Sequence, residues 1–168
     1  MATPTTLPAT FVAGDILTAA QQNALRGAFR VLSVSQFSLS ASQSFTTTSP
    51  VASALTISIT PTANTNKVLI MATCAGVNHQ AGINGGLDLW LYRGASTALT
   101  KFCNQAGKDG TTNEKWASPA TVVYLDSPAT TSATSYTIYG ATSNASGTSV
   151  FNWAGSTTST IIVCEISA

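Results

Sequence analysis

One histidine, three cysteines and six carboxylates are available for acid–base, nucleophilic or metal chemistry, and their spacing gathers none of them together. His79 lies in VNHQAG (77–82), which reads as a loop, with no cysteine, carboxylate or second histidine at ligand spacing. Zinc binding and Ser-His-Asp catalysis lack their parts, so an exposed loop histidine without a catalytic role is expected. Asp15, Asp88, Asp109, Glu114, Asp126 and Glu165 are scattered along the chain. Folding could assemble a glycosidase pair from them, but nothing local points to one. Cys74, Cys103 and Cys164 form no CxxC pair. Cys74 and Cys164 stand in apolar runs, where a free cysteine behaves as a small buried hydrophobe; spacing leaves a disulfide between them open. The glycines of GINGG (82–86) follow neither the phosphate-loop nor the dinucleotide pattern and read as a flexible hairpin. No enzyme activity, metal or cofactor is expected.

Contact chemistry has two sources. Lys101, Lys108, Asp109, Glu114 and Lys115 concentrate charge around the polar segment CNQAGKDGTTNEKW (103–116). That segment reads either as an exposed contact loop or as a solvated hairpin tip. Trp90, Trp116 and Trp153 could stack a sugar, or pack in a core or an interface.

The scaffold that must hold these groups is set by composition. Charged residues make up 8% of the chain, against about 25% in an average soluble domain. Ser, Thr, Asn and Gln account for 62 of the 168 residues, and hydrophobic residues for 44%. The chain can therefore build a core, and its polar surface must be mostly hydroxyls and amides. A net charge of +1 gives no electrostatic footprint for nucleic acid or an anionic membrane. The longest apolar run is Val68 to Ala72, whereas a spanning helix needs about 20 residues. MATPTTLPAT lacks the basic and apolar segments of a secretory signal, so a soluble protein that is not exported is expected.

Residues 1–14, broken by Pro4 and Pro8, read as an extended arm. A short helix should follow. Thr18 and Gln21 form a capping box behind Leu17, and Leu25, Phe29 and Leu32 make one apolar stripe. From about Val34 the period falls to two. Phe37, Leu39 and Ala41 alternate with serines, and Leu55, Ile57 and Ile59 with Thr56, Ser58 and Thr60. Leu87, Leu89 and Leu91 share a face opposite Asp88, Trp90 and Tyr92. With 67–77, 98–103, 119–126, 134–142, 148–153 and 159–166, these give nine short segments separated by turn clusters. An all-β jelly roll or β-sandwich of about eight to nine strands over 34–168 is predicted, preceded by an arm and docking helix over 1–33. The runs 68–72 and 161–164, apolar on both faces, should be central strands covered by another sheet or another subunit.

Three stretches carry a resemblance. FVAGDILTAAQQNAL (11–25) resembles the opening segment of many tailed-phage minor structural and tail-fibre proteins. YLDSPATTSATSYTIYGAT (124–142) and STTSTIIVCEIS (156–167) resemble the end of the small trimeric modules on phage fibres and head decorations, of broadly tumour-necrosis-factor or C1q-like jelly-roll type. In that pattern a strand ends in LDSP (Leu125 to Pro128), a Thr/Ser-rich turn leads to a strand carrying Tyr136 and Tyr139, and the chain closes on Ile161 to Ile166 with Glu165. With the YRG turn (92–94) it covers most of 34–168. The resemblance implies a homotrimer on a virion surface, assembled in a bacterial host cytoplasm, and supplies no catalytic residues.

The expected function is capsid decoration, or cement, by a trimeric knob. Phe11, Ile16, Leu17, Leu25 and Phe29 are the candidate anchors to a major capsid protein or another virion protein. Tyr139, Phe151 and Trp153 are candidates for the trimer axis, and Lys108, Asp109, Glu114 and Lys115 for an exposed contact loop. The alternatives are a tail-fibre or receptor-binding adhesin tip and a carbohydrate-binding module, either of which would take a host surface glycan as partner. No nucleic acid and no membrane insertion are expected.

Overall fold

The computed structural model describes residues 30–81, 85–107, 118–144, 147–155 and 157–167. They form ten strands: β1 (Val31–Leu39), β2 (Gln43–Phe45), β3 (Val51–Ile59), β4 (Lys67–Ala81), β5 (Leu87–Arg93), β6 (Thr97–Ala106), β7 (Ser118–Asp126), β8 (Thr134–Thr142), β9 (Thr148–Phe151) and β10 (Ser159–Ile166). A single 3-10 turn, Trp153–Gly155, is the only helical element among the described residues. Every strand pair is antiparallel. One sheet runs β3-β8-β5-β6. The other runs β1-β10-β4-β9-β2, with β7 also paired to β4.

Alternation in the sequence decides which residues enter the core. Leu55, Ile57 and Ile59 on β3 are buried while Thr56 and Ser58 are exposed. Leu87, Leu89 and Leu91 on β5 have no exposed surface. Opposite them the second sheet contributes Val68, Ile70 and Ala72 from β4, Ile161 and Val163 from β10, and Val122 from β7. These side chains make one two-layer core, as a sandwich requires. Strand β4 is long because it serves two sets of neighbours: residues 67–74, and Val77 past the bend, pair with β10 and β7, and residues 78–81 with β9. Gly76, at φ +57, sits at the irregularity between the two halves. A Cβ there would also lie 2.7 Å from the Thr157 hydroxyl, so the bend needs glycine on both counts. Short β2 carries Phe45 over Gly140 of β8, where a Cβ would stand 2.5 Å from the ring. Phe45 then packs 5.9 Å from Phe151.

Several expectations are corrected. There are ten strands, the addition being β2, and Ala41 lies outside any strand. Leu32, assigned to the helical stripe, belongs to β1, where it lies beside β10 in the edge of the sheet. The arm and the rest of the helix, residues 1–29, lie outside the described residues. Cys74 and Cys164 are both free and buried. Register puts Cys74 on the core face, level with Ala120, and Cys164 on the opposite face, level with Val34 and Leu69, so the two thiols cannot meet. Burial pushes the Cys74 thiol far above its ordinary pKa, with Cys103 nearby adding to the effect.

Candidate interaction surfaces

Residues of YRG, LDSP and the tyrosine-bearing β8 meet in space. The Arg93 guanidinium of YRG bonds both carboxylate oxygens of Asp126, in LDSP, at 3.0 Å. The Tyr136 hydroxyl donates to the same carboxylate at 2.8 Å. Arg93 and Tyr136 belong to one sheet and Asp126 to the other, so the cluster ties the sandwich together at one end. Burial, then the bond to Asp126, pushes the Tyr136 phenol well above its usual range, so it stays a donor. Glu165 closes a second cluster at this end. Its buried carboxylate accepts from the Thr62 amide at 2.6 Å, the Thr62 hydroxyl at 2.8 Å, the Asn66 amide at 2.6 Å and, more weakly, the Ser33 hydroxyl at 3.4 Å. Burial alone would raise its pKa, but these bonds outweigh it and hold the carboxyl below the usual glutamate range. Both clusters are closed, with their groups facing one another, and neither offers a nucleophile or base to a substrate.

The first and last described residues meet at this same end. The Arg30 amide donates to the Ser167 hydroxyl and the Ser167 amide to the Arg30 carbonyl, both at 2.9 Å. The opposite end carries His79. Far from an exposed loop, it lies in β4, 2% exposed, with Nδ1 2.8 Å from the Ser149 hydroxyl. That serine bonds Thr142 at 3.2 Å and is itself fully buried, so it cannot reach a substrate. Gly107 and Ser118, the residues that bracket the candidate contact loop, also stand at this end, against His79 and Val77 respectively.

The two sheets present different outer faces. Paired residues share a face in an antiparallel ladder. Across β1, β10, β4 and β7 the outward rows are therefore Val34, Cys164, Leu69, Leu125 and then Gln36, Ile162, Met71, Val123. Val34, Val123 and Leu125 are 61%, 64% and 51% exposed. The next row, Ser38, Thr160, Thr73, Thr121, is all hydroxyl and closes the apolar area on one side. The outer face of β3-β8-β5-β6 reads differently, with Ala52, Thr56 and Ser58 beside Thr137, Tyr139, Trp90 and Tyr92. Tyr92 and Tyr139 stack at 4.0 Å and 21°. The Lys101 ammonium sits 4.9 Å from the Trp90 centroid and 3.0 Å from Asp88. Among the described residues no three His, Cys, Asp or Glu side chains form a group that could hold a metal, and no helix is long and apolar enough to cross a membrane.

No family model and no curated protein matches the sequence. Among solved structures, the VP2 subviral particle of infectious bursal disease virus is similar over 81% of this chain and 39% of that one, at 13% identity and a TM-score of 0.42. The Gx strain of the same virus is similar over 82% and 37%, at 15% identity and a TM-score of 0.39. The chain spans well under half the length of either. Likeness at this level is loose even for the fold and bears on no residue's role.

The sites expected from sequence are distributed as follows. Phe11, Ile16, Leu17, Leu25 and Phe29, and the loop residues Lys108, Asp109, Glu114 and Lys115, lie outside the described residues. Lys101 does not belong to that loop: it is in β6, which runs to Ala106. The three axis candidates do not come together. Phe151 is fully buried in its own core, Tyr139 is half-buried on the outer face of β3-β8-β5-β6, and Trp153 is half-buried in the 3-10 turn. Arg93 and Asp126 were visible as motif residues, but their pairing was not. The apolar outer face of β1-β10-β4-β7 had its signal in the runs 68–72 and 161–164.

Proposed function

We propose that this chain is a structural protein of a virion surface, a trimeric decoration knob of a tailed phage. The apolar outer face of β1-β10-β4-β7 is the observation that carries the reading. Soluble monomers rarely leave contiguous apolar area open, whereas permanent interfaces look like a domain core cut in half. Copies of the same chain, arranged about a threefold axis, cover this face. The strand orders β1-β10-β4-β7 and β3-β8-β5-β6 are read as an eight-strand jelly roll, with β2 and β9 added at one end. The arm leaves from the end where Arg30 meets Ser167. It docks on a capsid or other virion protein through Phe11, Ile16, Leu17, Leu25 and Phe29, so that the opposite end, where Gly107 and Ser118 stand, faces away. Three arms per knob supply avidity.

Electron microscopy of particles made with and without the chain tests this reading. Density on the head that disappears with the chain supports it. Absence of the protein from particles contradicts it, and density confined to the tail moves the assignment to an adhesin tip. Deletion of residues 1–29, which spares β1, is expected to leave a folded trimer that no longer decorates particles; undiminished occupancy would show that the arm is not the anchor.

A further inference from the structure

The outer face of β3-β8-β5-β6 has no part in that assembly, yet it is organised. Tyr139 stacks on Tyr92 from the β8 side, and its hydroxyl reaches forward to the Ala95 carbonyl at 3.3 Å, so the ring is fixed at both ends. On β3 the cross-strand partner of Tyr139 is Ala52, exposed and too short to cover the ring. Beside it lie the Thr56 and Thr137 hydroxyls, 2.7 Å apart, with Thr56 exposed. The result is a step: an aromatic wall above a low rim of methyl and hydroxyl groups. On the far side of the wall, Trp90 is held under Lys101, whose charge is closed by Asp88 at 3.0 Å and which also bonds Asn104 at 2.8 Å.

We propose that this step binds a neutral carbohydrate, with one pyranose ring lying against Tyr139 and its hydroxyl groups bonding the exposed Thr56, which the buried Thr137 holds in place. The C–H face of a pyranose is apolar and flat, and its edge is a ring of donors and acceptors, which is the pattern the step presents in reverse. Among the described residues the charges on this face, Lys101 and Asp88, lie 3.0 Å apart and neutralise each other, so they attract no acidic ligand. It lacks the continuous apolar area that a second copy or a helix would need, which the other sheet has instead. Its rings are already held by stacking and hydrogen bonding, so little side-chain freedom is lost on binding. The inference goes beyond the structural role proposed above, since a decoration knob needs no ligand.

A printed array of neutral hexose and N-acetylhexosamine oligosaccharides, with sialylated and uronic-acid oligosaccharides alongside, probed with the full chain, tests it. The chain is expected to bind neutral oligosaccharides, and Tyr139→Ala to weaken that binding by about tenfold, the scale of one lost ring contact. Ala52→Lys, a change at an exposed position that lays a long side chain against the ring, is expected to do the same without touching the core. Circular dichroism and particle occupancy should stay unchanged in both, which separates failure here from failure of the structural role. No binding to neutral oligosaccharides, preference for the acidic set, or undiminished binding by Ala52→Lys would overturn the proposal.

Discussion

The outer faces of the two sheets are built from the same kind of alternating strand, yet they differ in what alternates with the core residues. On β3, Thr56 and Ser58 separate the buried Leu55, Ile57 and Ile59, so water can cover the outside. On β4 and β10 the outward positions are Leu69, Met71 and Ile162, nearly as apolar as the inward ones. The core beneath needs only one face of each sheet. The second apolar face is open among the described residues, and under the proposed function copies of the chain cover it, in a molecule with few charges to keep them apart.

Charge placed on each face should sharpen this contrast most. Val123→Asp with Leu125→Asp is expected to convert trimers to folded monomers, read by size-exclusion chromatography with light scattering, while Thr56→Asp with Ser58→Asp leaves assembly intact. Equal effects from the two pairs would erase the distinction between the faces. Changes inside the sandwich should act on stability and spare assembly. Gly140→Ala drives a methyl into the buried Phe45 ring and is expected to cost about 1–3 kcal/mol by denaturant unfolding. Asp126→Asn weakens the tie from Arg93 and Tyr136 to the other sheet; about 1–2 kcal/mol is expected, because Arg93 keeps partial access to water.

The smallest effect is in acid. Glu165 has a pKa below its unfolded value, so its contribution is fully present above the ordinary glutamate range and is lost as pH falls through the lower, folded pKa. Stability of the wild type should therefore decline in acid more steeply than that of Glu165→Gln, which has no carboxylate to protonate. Parallel acid limbs would mean that the carboxylate is not held as described.

Nine of the ten strands were legible, some from alternation, as in β3 and β5, and others, such as β4 and β10, from apolar β-rich runs between turn clusters. Strand β2 was not: three residues, Gln43 to Phe45, carry a single apolar side chain, and only the Gly140 cavity gives Phe45 its place. Leu32 satisfied a helical stripe, yet it lies in β1, at the irregularity between Val31 and Ser33 in the pairing with β10. His79 read as a loop because Asn78, His79 and Gln80 are polar, yet β4 continues past the bend at Gly76 and buries it. The polar clusters were beyond local reading. Arg93 and Asp126 are 33 residues apart and Thr62 and Glu165 are 103 apart, distances that only the sheet topology closes. The stacked pair of Tyr92 and Tyr139 was half legible: alternation put Tyr92 outside, but the register that brings Tyr139 to it belongs to tertiary structure.

The central claim is that copies of this chain cover the apolar face of β1-β10-β4-β7. Sedimentation equilibrium of the full chain tests it most directly. A single species at three times the 17.2 kDa chain mass is expected, reduced to one chain mass by Val123→Asp with Leu125→Asp. A wild-type chain that sediments at 17.2 kDa across micromolar concentrations would contradict it.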